Sequence, residues 1–298
     1  MSISVLILTL DEEVNLAGCL DSVTWCDDVV VLDSFSHDRT VDIARERGVR
    51  LYQRAFDNYA NQRNFGLRDI QYRHPWVLML DADERVPEDL RLEMLDATHG
   101  AADAVALFRM RRRDHLFGRW IRRSSGYPTW FGRLVRVGRA WVQRPYNEET
   151  HVDGEAASLQ GHLDHYPFNK GFSAWIEKHD RYSSMEARLR ALQPETAERW
   201  SELFAPDPAR RRRAQKVWLN SMPLRPLIVF AGLYFIKGGV LEGRAGPELL
   251  RTYSVERHAI AQGLGRRLTQ ALVLVFALGW LAVFLLRDRG QAMVPSWR

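Results

Sequence analysis

The chain has 298 residues, 46% hydrophobic and 27% charged, and its 42 Lys and Arg against 37 Asp and Glu give a formal net charge of +5. That length suffices for one sizeable catalytic domain plus an appendage, and the absence of long low-complexity stretches excludes global disorder. The two cysteines, Cys19 and Cys26, exclude a disulfide framework and a four-ligand zinc site; they read as reduced thiols of a cytosolic compartment.

Taken in chain order, Ile3–Leu10 is too short for the apolar core of a secretory signal and lacks its basic flank, so it reads as a first strand ending in Asp11-Glu12-Glu13. Val14, Leu16-Ala17, Leu20 and Val23 then recur at helical spacing, with acids in the first turn. Asp28–Leu32 is a second strand running into Asp33-Ser34. Asp38 or Thr40 caps a helix over Val41–Arg47, which Gly48 stops. Val49–Gln53 is a third strand, Tyr59–Asp69 a helix, and Trp76–Leu80 a fourth strand ending in Asp81-Ala82-Asp83. This alternation predicts an α/β fold: a Rossmann-like, mostly parallel sheet with helices on both faces. From about residue 104 to 170 the pattern is irregular, aromatic and basic, as for an acceptor-binding half. Gly171–Leu192 reads as a helix, and Glu195–Lys216 as a polar, Arg-rich segment.

The C-terminal part changes character. Leu268–Leu286 carries no charge and is flanked by Arg266-Arg267 and by Arg287 and Arg289. As a helix it would be roughly 28 Å long, close to the ~30 Å hydrocarbon core of a bilayer, and so reads as a transmembrane or monotopic anchor. The chain is thus expected to hold a first half-domain (1–100), a second half-domain (101–200), a basic membrane-interface segment (201–265) and an anchor helix (266–288).

Acids end three of the strands, and in open α/β sheets ligands sit beyond the carboxyl ends of the strands. Asp81 and Asp83, as a D-x-D pair after a strand, suit a hard divalent cation, Mg²⁺ or Mn²⁺, that also takes substrate phosphates and neutralises a departing diphosphate. Thr9 and Asp33 suit a pyrimidine ring and ribose edge, Glu12 a donor contact, and Arg63 a diphosphate. A nucleotidyltransferase would cradle a triphosphate with a Gly-rich loop after the first strand, but Thr9–Asn15 contains no glycine. His151, His162 and His165 read as structural or acceptor-contacting residues rather than a zinc site. The Arg210–Arg213 run reads as a solvated face or as a patch for anionic lipid headgroups; nucleic acid is the weakest reading for a partner, because an acidic rim repels phosphate unless a metal intervenes.

The succession Thr9-Leu10-Asp11-Glu12-Glu13, Val31–Thr40, Gln62-Arg63-Asn64-Phe65-Gly66 and Leu80–Glu84 resembles glycosyltransferase family 2, with its GT-A fold. Within that family it is similar to the bacterial lipopolysaccharide-core β-glucosyltransferase subgroup, as are Tyr127-Pro128, Arg133-Leu134, Arg225-Pro226 and Tyr234–Gly239. The resemblance implies an inverting transfer of a hexose, glucose above all, from a UDP-sugar to a glycolipid or lipid-linked acceptor at the cytoplasmic face of the inner membrane. Thr9, Leu10, Glu12, Asp33, Arg63, Asp81 and Ala82 would line the donor site, with Asp83 and Asp81 at the metal. Where the family often reads His-Glu, this chain has Asn147-Glu148-Glu149; Glu148 is the expected base and Glu149 the reserve. Transfer to a polyprenyl-phosphate carrier and a non-catalytic membrane-tethered sugar or lipid binder are the alternatives.

Overall fold

A computed structural model describes residues 2–116, 118–123, 125, 127–143, 149–171, 173–175 and 177–178, with short pieces at 200–204, 214, 218, 232–236 and 238–242. The chain divides into two compact units, Met1–Trp175 and Ile176–Arg298.

The first unit opens with β1 (Ile3–Thr9), α1 (Glu13–Asp21), β2 (Val29–Asp33), α2 (Thr40–Glu46), β3 (Arg50–Gln53), α3 (Tyr59–Asp69) and β4 (Trp76–Asp81). Order and type match the sequence reading, and the strands β3, β2, β1 and β4 lie side by side and parallel. Helices cover both faces, which is why β1 is an unbroken apolar run rather than an alternating one. Val5 and Ile7 pack with Leu16 and Cys19 of α1 and Ala44 of α2, while Leu6 packs with Ala60 and Leu67 of α3. Local chemistry sets the helix ends. The Asn58 Oδ1 accepts from Asn61 N at 2.9 Å to start α3. Asp38 accepts from Thr40 N and Glu13 N, both at 2.9 Å, and so ties the starts of α2 and α1 together. Gly48, at φ 66°, ends α2.

The expectation of an irregular segment from about 104 to 170 is corrected. After β5 (Glu84–Arg85) and α4 (Glu88–His99) come β6 (Val105–Leu116), β7 (Arg119–Trp120), β8 (Trp130–Arg136), β9 (Ala140–Gln143), β10 (Glu149–Val152) and β11 (Glu155–His165). The sheet continues β4-β8-β6-β11-β5; β8 is antiparallel to both its neighbours and β11 is parallel to β6. The basic run hid these strands because its arginines lie on aromatic faces: Arg111 is 5.1 Å from the Trp130 ring centroid and Arg112 is 4.5 Å from that of Phe131. β9 and β10 form a separate two-stranded ladder.

In the second unit the described pieces include single turns at Trp200–Phe204, Gly232–Ile236 and Gly239–Glu242. Among the described residues no helix is long and apolar enough to cross a membrane. Leu268–Leu286, Arg210–Arg213 and Glu148 lie outside the described residues, as does most of the expected helix Gly171–Leu192.

Candidate active site

The carboxyl ends of β1, β2 and β4 meet at one rim. The parallel register sets Thr9 beside Asp33 and Leu8 beside Asp81. The Thr9 hydroxyl donates to Asp33 Oδ1 at 2.9 Å, and the fully buried Asp33 carboxylate also accepts from Ser36 N at 2.9 Å and from Gln53 Nε2 at 3.2 Å. Leu10, the next residue along, is exposed, and Ala82 is buried.

Arg63 is not an exposed helical cation. It is buried on α3 with Nη2 2.6 Å from Asp81 Oδ1, while Arg133 Nη2 of β8 takes Asp81 Oδ2 at 2.6 Å and Glu84 Oε1 at 2.7 Å. Burial alone would raise the Asp81 pKa, but Arg133 and Arg63 hold it well below the usual carboxylate range. Both Asp81 oxygens are therefore already engaged by guanidinium groups.

Asp83 Oδ2 lies 3.3 Å from His165 Nε2, and the other ring nitrogen of His165 is 2.7 Å from Asp114 Oδ1. The imidazole is thus oriented by one carboxylate toward another, as in sites where a histidine ligand is fixed from behind. Burial and Arg112 oppose protonation of His165, yet Asp83 and Asp114 outweigh them and its pKa is raised. Among the described residues no group of three or more His, Cys, Asp and Glu is arranged to hold a metal. Asp83 would fit one only if substrate phosphate and water complete its shell, the usual habit of Mg²⁺.

The segment after β11 closes on the same rim. Tyr166 N donates to Asp83 O at 2.8 Å, Asn169 Nδ2 to Asn15 Oδ1 at 2.8 Å, and Lys170 Nζ lies 2.6 Å from Glu12 Oε1. Burial raises the Glu12 pKa, partly offset by Lys170. On the α3 side, Asn64 accepts from Val142 N and donates to Val142 O, both at 2.8 Å, which fixes β9 along the helix. Gln143 on β9 pairs with Glu149 on β10. Glu149 is exposed, with Oε2 3.8 Å from His151 Nε2.

The three histidines do not assemble. His151 stacks on Trp141 and His162 on Tyr127, each with centroids 5.9 Å apart, while His165 alone reaches the rim. The sequence reading gave no role to Arg133, Glu84, Asp114 or Lys170. Glu84 directly follows the D-x-D, and that adjacency was a usable signal; the others reach the rim only through strand pairing and the turn after β11.

Residues 4–158, just over half of the chain, match the family model described as "Glycosyl transferase family 2". The chain is 33% identical over 196 residues to the lipopolysaccharide core biosynthesis glycosyltransferase LpsC of Rhizobium meliloti, covering 63% of this chain and 71% of that one. It is also 32% identical over 198 residues to an uncharacterized glycosyltransferase of Rickettsia felis, covering 62% and 69%. Among solved structures it is similar to glucosyl-3-phosphoglycerate synthase of Mycobacterium tuberculosis, in complex with Mn²⁺, UDP and glucosyl-3-phosphoglycerate. That match has 22% identity and a TM-score of 0.33 over 38% of this chain and 44% of the other, less than half its length, and bears no weight on function. The sheet is the mixed, largely parallel one expected of a GT-A fold, and the chain belongs to glycosyl transferase family 2 and is a glycosyltransferase.

Proposed function

We propose that the enzyme transfers a hexose, glucose in the first instance, from a UDP-sugar to a membrane-associated glycolipid such as lipopolysaccharide core, with inversion at the anomeric carbon. The observation that carries this reading is the Thr9–Asp33 pair at 2.9 Å, set by strand register beside the Asp81–Arg63–Arg133 cluster. The fully buried Asp33 carboxylate, filled by donors from Thr9, Ser36 and Gln53, anchors the loop that would frame the uracil edge. Glu12 and the Leu10 backbone continue the donor side.

A divalent cation, Mg²⁺ or Mn²⁺, would supply Lewis-acid neutralisation of the departing diphosphate. Asp83, oriented together with His165, would hold it, while Asp81 serves to fix Arg63 and Arg133 and to face the ribose. Glu148, with Glu149 in reserve, takes the proton of the acceptor hydroxyl as that oxygen attacks opposite the leaving group. A single displacement inverts the centre. The acceptor class is supported by the likeness to a lipopolysaccharide core enzyme, and the place of action, the cytoplasmic face of a bacterial inner membrane, by the uncharged Leu268–Leu286 with basic flanks and by the Arg210–Arg213 run.

The test is a screen of UDP- and GDP-sugars with the full chain in detergent. UDP-glucose should be consumed with Mg²⁺ or Mn²⁺ and spared with EDTA, and Asp83→Ala should abolish transfer in a variant that still unfolds cooperatively. If every nucleotide sugar is ignored with and without metal, the reading is wrong. If Asp83→Ala transfers normally, the metal assignment is.

A further inference from the structure

β6 outruns the strands beside it. Leu78 of β4 pairs with Leu134 of β8, and Leu134 with Phe108 of β6, so by Arg111 the strand is roughly level with Asp81 at the rim, and it continues to Leu116. Successive side chains alternate between faces. Arg112 and Asp114 turn toward Glu84 and His165, the cluster described above. Arg111 and Arg113 take the other face, with His162 and Asp164 as their register partners on β11.

That face gathers aromatic rings and guanidinium groups. Arg111 lies 5.1 Å from the Trp130 ring centroid, while Arg113 and Arg122 lie 5.9 and 5.6 Å from that of Trp120. Asp164 takes Arg113 at 2.6 Å, but among the described residues neither Arg111 nor Arg122 has a carboxylate partner. His162 feels the excess of positive charge: burial lowers its pKa, and Arg111 and Arg113 lower it further. Trp130 is 38% exposed, and Arg122 is exposed as well. Residues 101–165 contain no lysine, so every permanent cation of the patch is a planar fork suited to phosphate or carboxylate. A bilayer surface would ask only for charge. The patch also adjoins the segment proposed to hold the base. Thr150, directly after Glu149, donates to Gly132 O at 3.0 Å, and Gly132 is two residues from Trp130.

We infer that this patch holds the acceptor as an anionic saccharide: a sugar ring lies on the exposed part of the Trp130 indole, and Arg111 and Arg122 take a phosphate or carboxylate that the acceptor carries. This rests on the acceptor reading above and narrows it, because a neutral glycolipid would leave both guanidinium groups without a counter-charge.

The experiment is calorimetry on the full chain in detergent with UDP and Mg²⁺ present. The probe is a lipid-free lipopolysaccharide-core oligosaccharide, offered intact, stripped of phosphate, and with its carboxyl groups reduced. Soluble short-chain phosphatidylglycerol is the control for a lipid-headgroup surface. Trp130→Ala should weaken binding of all three oligosaccharides about ten-fold. Arg122→Gln should weaken the intact form about ten- to a hundred-fold, the loss expected for a hydrogen bond to a charged group, and the penalty should vanish in whichever treated form has lost the anion. Both positions are exposed, so folding and UDP affinity should be unchanged in both variants. Oligosaccharide binding that neither variant weakens, an Arg122 penalty that survives both treatments, or a loss confined to phosphatidylglycerol overturns the inference and leaves the acceptor reading standing. A wild-type chain that binds UDP and ignores the oligosaccharide overturns both.

Discussion

Arg133 and Asp81, on the antiparallel neighbours β8 and β4, are joined at 2.6 Å, and the same Arg133 nitrogen lies 2.7 Å from Glu84 Oε1. One guanidinium thus compensates two carboxylates, and the Glu84 side chain has no exposure to water at all. Replacing Arg133 with Met keeps much of the stem's packing but leaves Glu84 with Arg112 at 3.7 Å as its nearest remaining cation. Removing one partner of a buried ion pair costs about 3–5 kcal/mol, so Arg133→Met should lower unfolding stability by about that much in urea titrations. A loss below ~1 kcal/mol would mean the cluster is solvated and not structural.

The Thr9–Asp33 contact leads to a finer test. Every group around Asp33 donates to it: the Thr9 hydroxyl, Ser36 N, the Ser36 hydroxyl and Gln53 Nε2. Asp33→Asn keeps the volume but turns an NH₂ toward donors. That mismatch should destabilise the fold by about 1–3 kcal/mol, the cost of a buried polar group left unsatisfied, and should also abolish detectable UDP binding. Calorimetry on the folded variant separates the two effects. Retained UDP affinity would remove Asp33 from the donor site.

How far the sequence revealed this site follows from which contacts are local. β1 through β4 carry dense apolar runs that end in acids, so their order, and the convergence of Thr9, Asp33 and Asp81, were legible. β6 was not, because Arg111 and Arg112, successive residues on a strand, are sheltered by Trp130 and Phe131 and erase the polar–apolar alternation. In α4, Leu90 and Met94 are buried but Leu92 is 54% exposed, which blurs the helical stripe. The Asp114–His165 contact depends on the parallel pairing of β6 with β11, which sets these two residues opposite one another; no local spacing announces it.

Stability should fall in acid partly through Asp28. Its buried carboxylate accepts from Ser4 Oγ at 2.6 Å, Arg50 Nη1 at 2.8 Å and Arg73 N at 2.8 Å. Burial pushes its pKa up, but these donors prevail and it is lowered below the usual value of 3.8. A depressed folded-state pKa contributes stability that is present above the unfolded value and is lost as pH falls through the folded one. The stability gap between wild type and Asp28→Asn should therefore be widest near neutrality and shrink as pH drops below about 4. A gap that stays constant from pH 7 to pH 3 would show that the Asp28 charge contributes nothing.

Gly66 explains why a helix that borders the rim carries its least helix-favouring small residue. A Cβ there would sit 2.5 Å from Leu6 Cδ2, and Leu6 is fully buried between β1 and α3. Alanine would gain up to about 1 kcal/mol of helix propensity, against about 1–3 kcal/mol for overpacking a filled core. Overpacking should win, so Gly66→Ala is expected to be destabilising on balance. Leu6→Val removes the δ-carbons that the new methyl would strike. The double variant Gly66→Ala, Leu6→Val should then be more stable than the sum of the single changes, by about 0.5 kcal/mol or more. Additivity within error would mean that Leu6 simply rotates away, and that close approach of α3 to β1 is not what the glycine serves.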